Sequence, residues 1–394
     1  MTITRQTSID AVRGAVMVIM ALDHVRDFFD RAAMIGPPED LATTTPALFM
    51  TRWITHVCAP AFVFLAGVAA TRQLRRDGSK RQLSRYLWTR GLWLVLLEIT
   101  VMRVALNFRY DAQDLVMLII LSALGMAMIV LAALIYLPPA VVGVTGVAIV
   151  ALHNLLDPIQ ARALGNLAPL WMVMFEPGVF TVGGVSVLAG YPVVPWVGVM
   201  AIGFSAGRVF DLAPAQRARL LAWSGAALVA AFLVLRAINH YGDPSPWSLQ
   251  ASSTMTVLSF LRTTKYPPSL IFLLMTLGPV LLALAWFERR PADAAHPLVI
   301  IGRVPLFYFV GHFFLAHLAA SLLAWWHYGD FAMAFLSGPF PSAGVARASF
   351  PPGFGYPLWV TYLAWVLVVA AMYPLCRWYG RLKRERPVWW MRYV

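Results

Sequence analysis

The sequence predicts an all-α fold, a polytopic membrane helix bundle of about ten transmembrane helices with both termini cytoplasmic. Three observations carry that expectation. The 394 residues are 60% hydrophobic and only 12% charged, about half the charged fraction of a soluble domain. Mean hydropathy is +0.70, and apolar runs long enough to cross a bilayer recur along the whole chain. The basic residues, by contrast, crowd into a few short segments. A single membrane domain over residues 1–394 follows, closing on a basic tail from about 379.

Length and apolarity place the spans at 9–30, 47–71, 87–108, 114–137 and 139–156, then at 190–210, 217–238, 267–287, 297–326 and 356–378. Pro138-Pro139 breaks one long apolar stretch into a tight helical hairpin. The segment "NLAPLWMVMFEPGVFTVGGV" (166–185) is apolar but interrupted by Glu176, Pro177 and glycines. It reads as a re-entrant or interfacial element, or as an extra span. No internal repeat is visible.

Three basic segments set the orientation. They are "RQLRRDGSKRQLSRYLWTR" (72–90), "RRPADAAHP" (289–297) and "RWYGRLKRERPVWWMRYV" at the end. With ten spans all three share one face with the N-terminus, and the positive-inside rule assigns that face to the cytoplasm. The opposite face receives the longer connections 31–46, 157–189, 239–266 and 327–355. An extracytoplasmic substrate would be met there. This is the charge pattern of a multi-pass protein of a bacterial inner (plasma) membrane. It accounts for the formal charge of +13 without a nucleic-acid partner, and none is expected. Cys58 and Cys376 both lie in apolar segments, so neither a disulfide framework nor a metal site is indicated. The N-terminal run meets charges at once and is not expected to be a cleaved signal peptide.

The first span, "IDAVRGAVMVIMALDHVRDFFD", is apolar only from Gly14 to Leu22, too short to cross alone. Asp23 and His24, with Asp10 and Arg13, must therefore sit at membrane depth. Arg13 and His24 are eleven residues apart, within about 20° of one helix face. Asp10, Met17, Met20 and Asp27 fall near that face too. A charge at the bilayer centre costs about 2.5–3.5 kcal/mol, so the stripe demands a polar cavity or partner charges. The second span adds Arg52 and His56 one turn apart, in the same half of the membrane as His24, so that the two histidines can face one another. The third adds Glu98, Arg103 and Asn107, and the ninth Arg303, His312 and His317. Plain structural readings stand beside the functional one. His56, His312 or His317 can brace helix pairs, and Glu98 can form a packing ion pair with Arg103 or Arg52.

"SIDAVRGAVMVIMALDHVRDFF" followed by "TRWITHVCAPAFVFLAGVAATR" resembles the opening of membrane proteins related to the heparan-alpha-glucosaminide N-acetyltransferase catalytic domain. "TTKYPPSLIFLLMTLGP" (263–279) and "GRVPLFYFVGHFFLAH" (302–317) resemble later stretches of those relatives. The first helix is also similar to the more distant acyltransferase 3 family, whose motif is an Arg and a His separated by ten residues, as Arg13 and His24 are. The resemblance implies transfer of an acyl group, acetyl from acetyl-CoA, to a carbohydrate or glycan across the membrane, with the His as base or acyl carrier. One departure stands out. The catalytic histidine of the heparan enzyme lies just after this helix, whereas no histidine occurs here between Asp27 and Thr51. The role of His24 is thus carried over from the wider superfamily.

Acyl transfer suits these residues. An attacking hydroxyl or amine needs a base, and a carboxylate beside a histidine sets its tautomer. His24 is the expected base or carrier, with Asp27 or Asp23 orienting it. His56 either hydrogen-bonds the acceptor or takes over as base. Arg13 and Arg52 are expected to hold the acyl-CoA donor. Glu98, Arg103, Lys265, Tyr266 and His312 are expected to contact substrate, although Pro267-Pro268 can equally well start a helix that Tyr266 anchors. The basic 72–90 loop suits the CoA 3′-phosphate, and the positive-inside rule explains it equally well. No metal is expected. Two other classes compete: a transporter using intramembrane His, Asp and Arg, and a non-catalytic scaffold. A metal-dependent enzyme is a weaker third, since the histidines are dispersed. Self-association is left open.

Overall fold

The computed structural model describes residues 6–108, 110, 115–329, 353–386, 388 and 391. It is mostly helical, with a small three-stranded sheet. In chain order the main elements are α1 (Thr7–Phe29), α2 (Pro46–Thr55), α3 (Cys58–Asp77), α4 (Lys80–Leu97) and α5 (Arg103–Asn107). There follow β1 (Val116–Leu118), α6 (Ile120–Leu134), α7 (Pro139–Leu152), α8 (Ala168–Met174), β2 (Gly178–Val182) and β3 (Val185–Ala189). The chain continues with α9 (Val193–Ala206), α10 (Pro214–Ile238), α11 (Ser253–Leu261), α12 (Leu270–Arg289), α13 (Pro297–Gly302), α14 (Pro305–Tyr328) and α15 (Leu358–Glu385).

Among the described residues seven helices are long and apolar enough to span a membrane. One is the kinked pair α2–α3, Pro46–Asp77. The expected count of about ten is not reached by that measure. α6 is too short, and α1 and α4 carry too many ionised groups within an otherwise apolar length. On α10 and α15 only 22% of the apolar window is buried, so both present hydrocarbon outward, as lipid-facing helices do. The chain is therefore a multi-pass membrane protein.

Local chemistry explains the boundaries. Thr45, Ser79 and Ser269 accept backbone N–H groups at the starts of α2, α4 and α12. Gly78, at φ 71°, ends α3 in the left-handed region. Pro60 cannot donate to the His56 carbonyl, and the kink between α2 and α3 falls at His56-Val57. Glu98 opens one π-helical turn, Glu98–Met102, that joins α4 to α5. The 166–185 segment is neither a span nor a long re-entrant helix. It forms α8 and the β2–β3 hairpin, turned by Gly183 and Gly184 and paired through β3 with β1.

α1 occupies the middle of the fold, packed against α2, α3 and α12–α15. Its approach to α13 is close. A Cβ on Gly14 would lie 1.9 Å from the Leu298 carbonyl oxygen, and one on Gly302 would lie 1.9 Å from that of Asp10. Only glycine permits backbones to meet at that distance. This pair fixes the height of α1 against the C-terminal helices and so sets the level of His24.

Candidate active site

The charged half of α1 is held by a chain of ion pairs. Asp23 meets Arg26 at 2.8 Å and also pairs with Arg52 of α2. Arg26 reaches Asp27 at 2.6 Å. Arg52 donates its Nε–H to Glu39 Oε1 at 2.7 Å, and His56 Nε2 lies 3.2 Å from the same oxygen. Farther out, Arg52 approaches the Tyr266 hydroxyl at 3.5 Å, which lies 3.3 Å from that of Tyr191. α1, the loop after it, α2 and the loop before α12 are thereby tied together. Burial pushes the Glu39 carboxyl up, but Arg52 and His56 outweigh it and hold the group well below the ordinary carboxylate range. Burial likewise raises the Tyr266 hydroxyl, yet Lys265 and Arg52 bring it below the usual tyrosine value. Removing one member of such a network leaves a buried charge unpaired, at about 3–5 kcal/mol.

His24 is oriented by a histidine rather than by a carboxylate. Its Nδ1 lies 2.7 Å from His312 Nε2, and His312 Nδ1 lies 2.8 Å from the Tyr308 carbonyl oxygen. A carbonyl only accepts, so His312 Nδ1 carries its proton. In the neutral pair His312 Nε2 is then the acceptor, and His24 Nδ1–H the donor. The remaining nitrogen, His24 Nε2, keeps its lone pair. It has no partner among the described residues, and Phe313 stacks on the ring at 4.0 Å between centroids. The same reasoning applies to His56. Donation from Nε2 to Glu39 leaves Nδ1 with a lone pair, and that atom is buried without a partner.

Two adjoining cavities lie beside α1. At the end of the bundle where all three basic segments meet, a cleft of about 1480 Å³ is lined by Arg76, Arg85, Arg303, Arg381, Lys383 and Arg384, among others. A narrower tunnel of about 260 Å³ runs between α1, α3, α4, α6 and the start of α14, past Arg13, Met17 and Leu124. Ala69, Gln73 and Tyr86 line both spaces. Phe309 closes the inner end of the tunnel, its ring centroid 6.1 Å from that of His24.

The expected residues thus separate into groups. Asp23, Arg52, His56 and Tyr266 join one network, and His24 with His312 borders it. His24 does not pair with His56 as the helix depths suggested, because α14 supplies a nearer imidazole. Neither Asp27 nor Asp23 orients His24; Arg26 binds both carboxylates. Arg13 lines the tunnel, 3.3 Å from Asp10 and 3.2 Å from the Gly302 carbonyl. Arg52 gives its guanidinium to protein partners.

Glu98 forms an ion pair with neither Arg103 nor Arg52. Its two oxygens accept from the N–H groups of Ile119, Leu121 and Ser122, capping α6. Arg103 lies over the ring of Tyr110. His317 donates to the Ala105 carbonyl at 2.8 Å and stacks on Phe108, a bracing arrangement. Glu39, Arg26 and Tyr191 were not anticipated. Beside Glu39, Asp40 accepts from Ala42 N–H and caps the local turn, whereas Glu39 turns inward to Arg52 and His56.

No curated protein matches the chain. A family model does, over residues 5–239 and hence more than half of the length; it describes the heparan-alpha-glucosaminide N-acetyltransferase catalytic domain. The match takes in α1–α10, including His24, Arg52 and His56, and stops before Lys265 and His312. The chain belongs to this family of acetyltransferase catalytic domains, and its apolar helices make it a membrane member.

Proposed function

We propose that the protein is an integral membrane acyltransferase that takes acetyl from cytoplasmic acetyl-CoA and passes it to a carbohydrate or glycan on the other side, with His24 as general base. One observation carries this reading: a basic cleft adjoins a narrow tunnel whose lining residue Phe309 packs edge-on against His24, an imidazole whose Nε2 has no partner among the described residues. The cleft suits the phosphates and 3′-phosphate of CoA, which arginines bind well. The tunnel suits an unbranched arm, with Arg13 and Gln73 on its wall to meet amide carbonyls.

His24 Nε2 takes the proton of the attacking hydroxyl or amine, and His312 holds the required tautomer through Nδ1. His56 with Glu39 lies on the acceptor side and orients the incoming group. α1, α4 and α6 complete a ten-span topology. The charges of α1 are matched by Arg26 and Arg52, and the basic cleft faces the cytoplasm by the positive-inside rule. Both termini then lie on that side of a bacterial-type inner membrane.

The test is CoA-thiol release by purified protein in lipid nanodiscs, with acetyl-CoA and a mixture of amino sugars and glycans. Release that disappears in His24→Ala, with the fold retained, is expected. Absence of both acetyl-CoA binding and turnover in the wild type, or solute movement into liposomes without CoA, would overturn the reading.

A further inference from the structure

Lys265 is in an unusual position for an ammonium group. The residue is 8% exposed, yet among the described residues its Nζ has neither a carboxylate within ion-pair reach nor a hydrogen-bond acceptor. The contact it does make is with the ring of Tyr266, whose centroid lies 5.2 Å away. Tyr266 in turn approaches Arg52 at 3.5 Å, and Arg52 pairs with Asp23, the neighbour of His24, so the group stands at the edge of the same network. The loop that carries it is held firmly. Asp243 accepts from Thr264 N–H and Oγ1 at 2.9 Å each and from Ser269 Oγ at 2.7 Å, while Lys265 bridges to Pro268. An ammonium that is 8% exposed and has no hydrogen-bond acceptor among the described residues keeps its donors available. A rigid loop that maintains that arrangement points to an acceptor the resting protein does not supply.

The charge balance indicates which kind of acceptor. The ion-paired cluster beside Lys265 already matches Asp23, Asp27 and Glu39 with Arg26 and Arg52. An oxyanion that forms as a histidine gains a proton adds no net charge to that cluster.

We propose that the Lys265 ammonium is the oxyanion donor of acyl transfer, an inference that rests on the acyl-transfer reading above. The acceptor oxygen or nitrogen bonds to the thioester carbonyl carbon as His24 Nε2 takes its proton. The carbonyl π pair moves onto oxygen and is stabilised by Lys265 Nζ. On collapse that pair re-forms the C=O bond, the C–S bond breaks, and the departing thiolate takes the proton from His24. Fixed donors of this kind act where charge develops and need no reorganisation.

The experiment uses the full chain in nanodiscs with 1-¹³C-acetyl-CoA. Infrared spectra read the carbonyl stretch of the bound donor, calorimetry reads CoA affinity, and steady-state rates give kcat and KM. In wild type the carbonyl band should fall below its value in solution, and Lys265→Met should return it there. The Met variant should lose about 10²–10³-fold in kcat, with CoA affinity within about twofold of wild type. Lys265→Arg should recover at least about tenfold over Met, because it restores a cationic donor. A wild-type band at the solution value overturns the proposal and needs no variant to fold. So does a Met variant within about threefold of wild-type kcat, or a loss confined to acceptor KM. Binding and turnover without a band shift sink Lys265 alone. Failure of the wild type to bind or turn over acetyl-CoA sinks the acyl-transfer reading as well.

Discussion

Replacing His312 with leucine tests the tautomer logic of the site directly. The substitution removes the acceptor 2.7 Å from His24 Nδ1 and keeps an apolar side chain against Phe309 and Phe313. His24 Nδ1–H then has no partner in a buried setting, a loss of about 1–3 kcal/mol. The ring can avoid that loss by moving its proton to Nε2, which removes the base. A bias of that size lowers the population of the productive tautomer, and with it kcat, by about 5- to 150-fold.

His24→Ala sets the floor, since a general base contributes about 10²–10⁴-fold. The assay is CoA-thiol release at saturating acetyl-CoA, with thermal unfolding of each variant alongside. His312→Leu should fall between wild type and His24→Ala, mainly in kcat. His312→Gln, whose amide oxygen can accept, should recover much of the loss. A leucine variant within threefold of wild type, or one as inactive as His24→Ala and not rescued by Gln, would refute the positioning role.

Three further outcomes follow from the same structure. Folding lowers the Glu39 carboxyl pKa, so its stabilisation is complete above the free carboxylate range of about pH 4–5 and is lost as pH falls through the folded value. Glu39→Gln should therefore lower Tm at pH 7, and the gap from wild type should close on acidification; a gap independent of pH would contradict this. Gly302→Ala drives a Cβ to 1.9 Å from the Asp10 carbonyl oxygen and should cost at least about 1–3 kcal/mol, read as a fall in Tm, whereas an unchanged Tm would mean that α1 and α13 are not in close contact. Charge reversal of Arg381 and Arg384 in the cleft should weaken CoA binding about tenfold and in a salt-dependent way, with 3′-dephospho-CoA less affected; equal, salt-insensitive binding by wild type and variant would exclude the cleft as the nucleotide site.

The α1 stripe was legible because ionised groups in an apolar run stand out, and their cost in a bilayer demands partners. The identity of those partners was not legible. The pairing of His24 with His312 spans 288 residues of chain, and helix periodicity says nothing about which distant helix lies opposite. Glu39 stood in a Pro-rich connection where acids usually meet solvent, so its inward turn depended on the tertiary course of the loop. In "VFTVGGVSVLA" the β-branched runs around Gly183-Gly184 carried a hairpin signature, but their apolarity suggested a membrane element instead. The ion pair weighed for Glu98 does not form: a carboxylate in a greasy helix suggests a counter-ion, but exposed helix N–H groups satisfy it equally well.

The central position of α1 bears on how the protein is made. α1 is synthesised before α12–α15, yet those helices form much of its surroundings. Until they arrive, α1 relies on pairs within itself, among them Asp23 and Asp27 with Arg26 and Asp10 with Arg13, and then on Arg52 from α2. His312, which sets the base, and Lys265 both arrive late in synthesis, as do the arginines of the C-terminal helix that line the cleft. A partly inserted chain therefore holds His24 without its orienting partner, so the proposed base would be set only once the bundle is closed. On the acyl-transfer reading proposed above, this order of assembly would protect acyl-CoA from discharge to water during biogenesis.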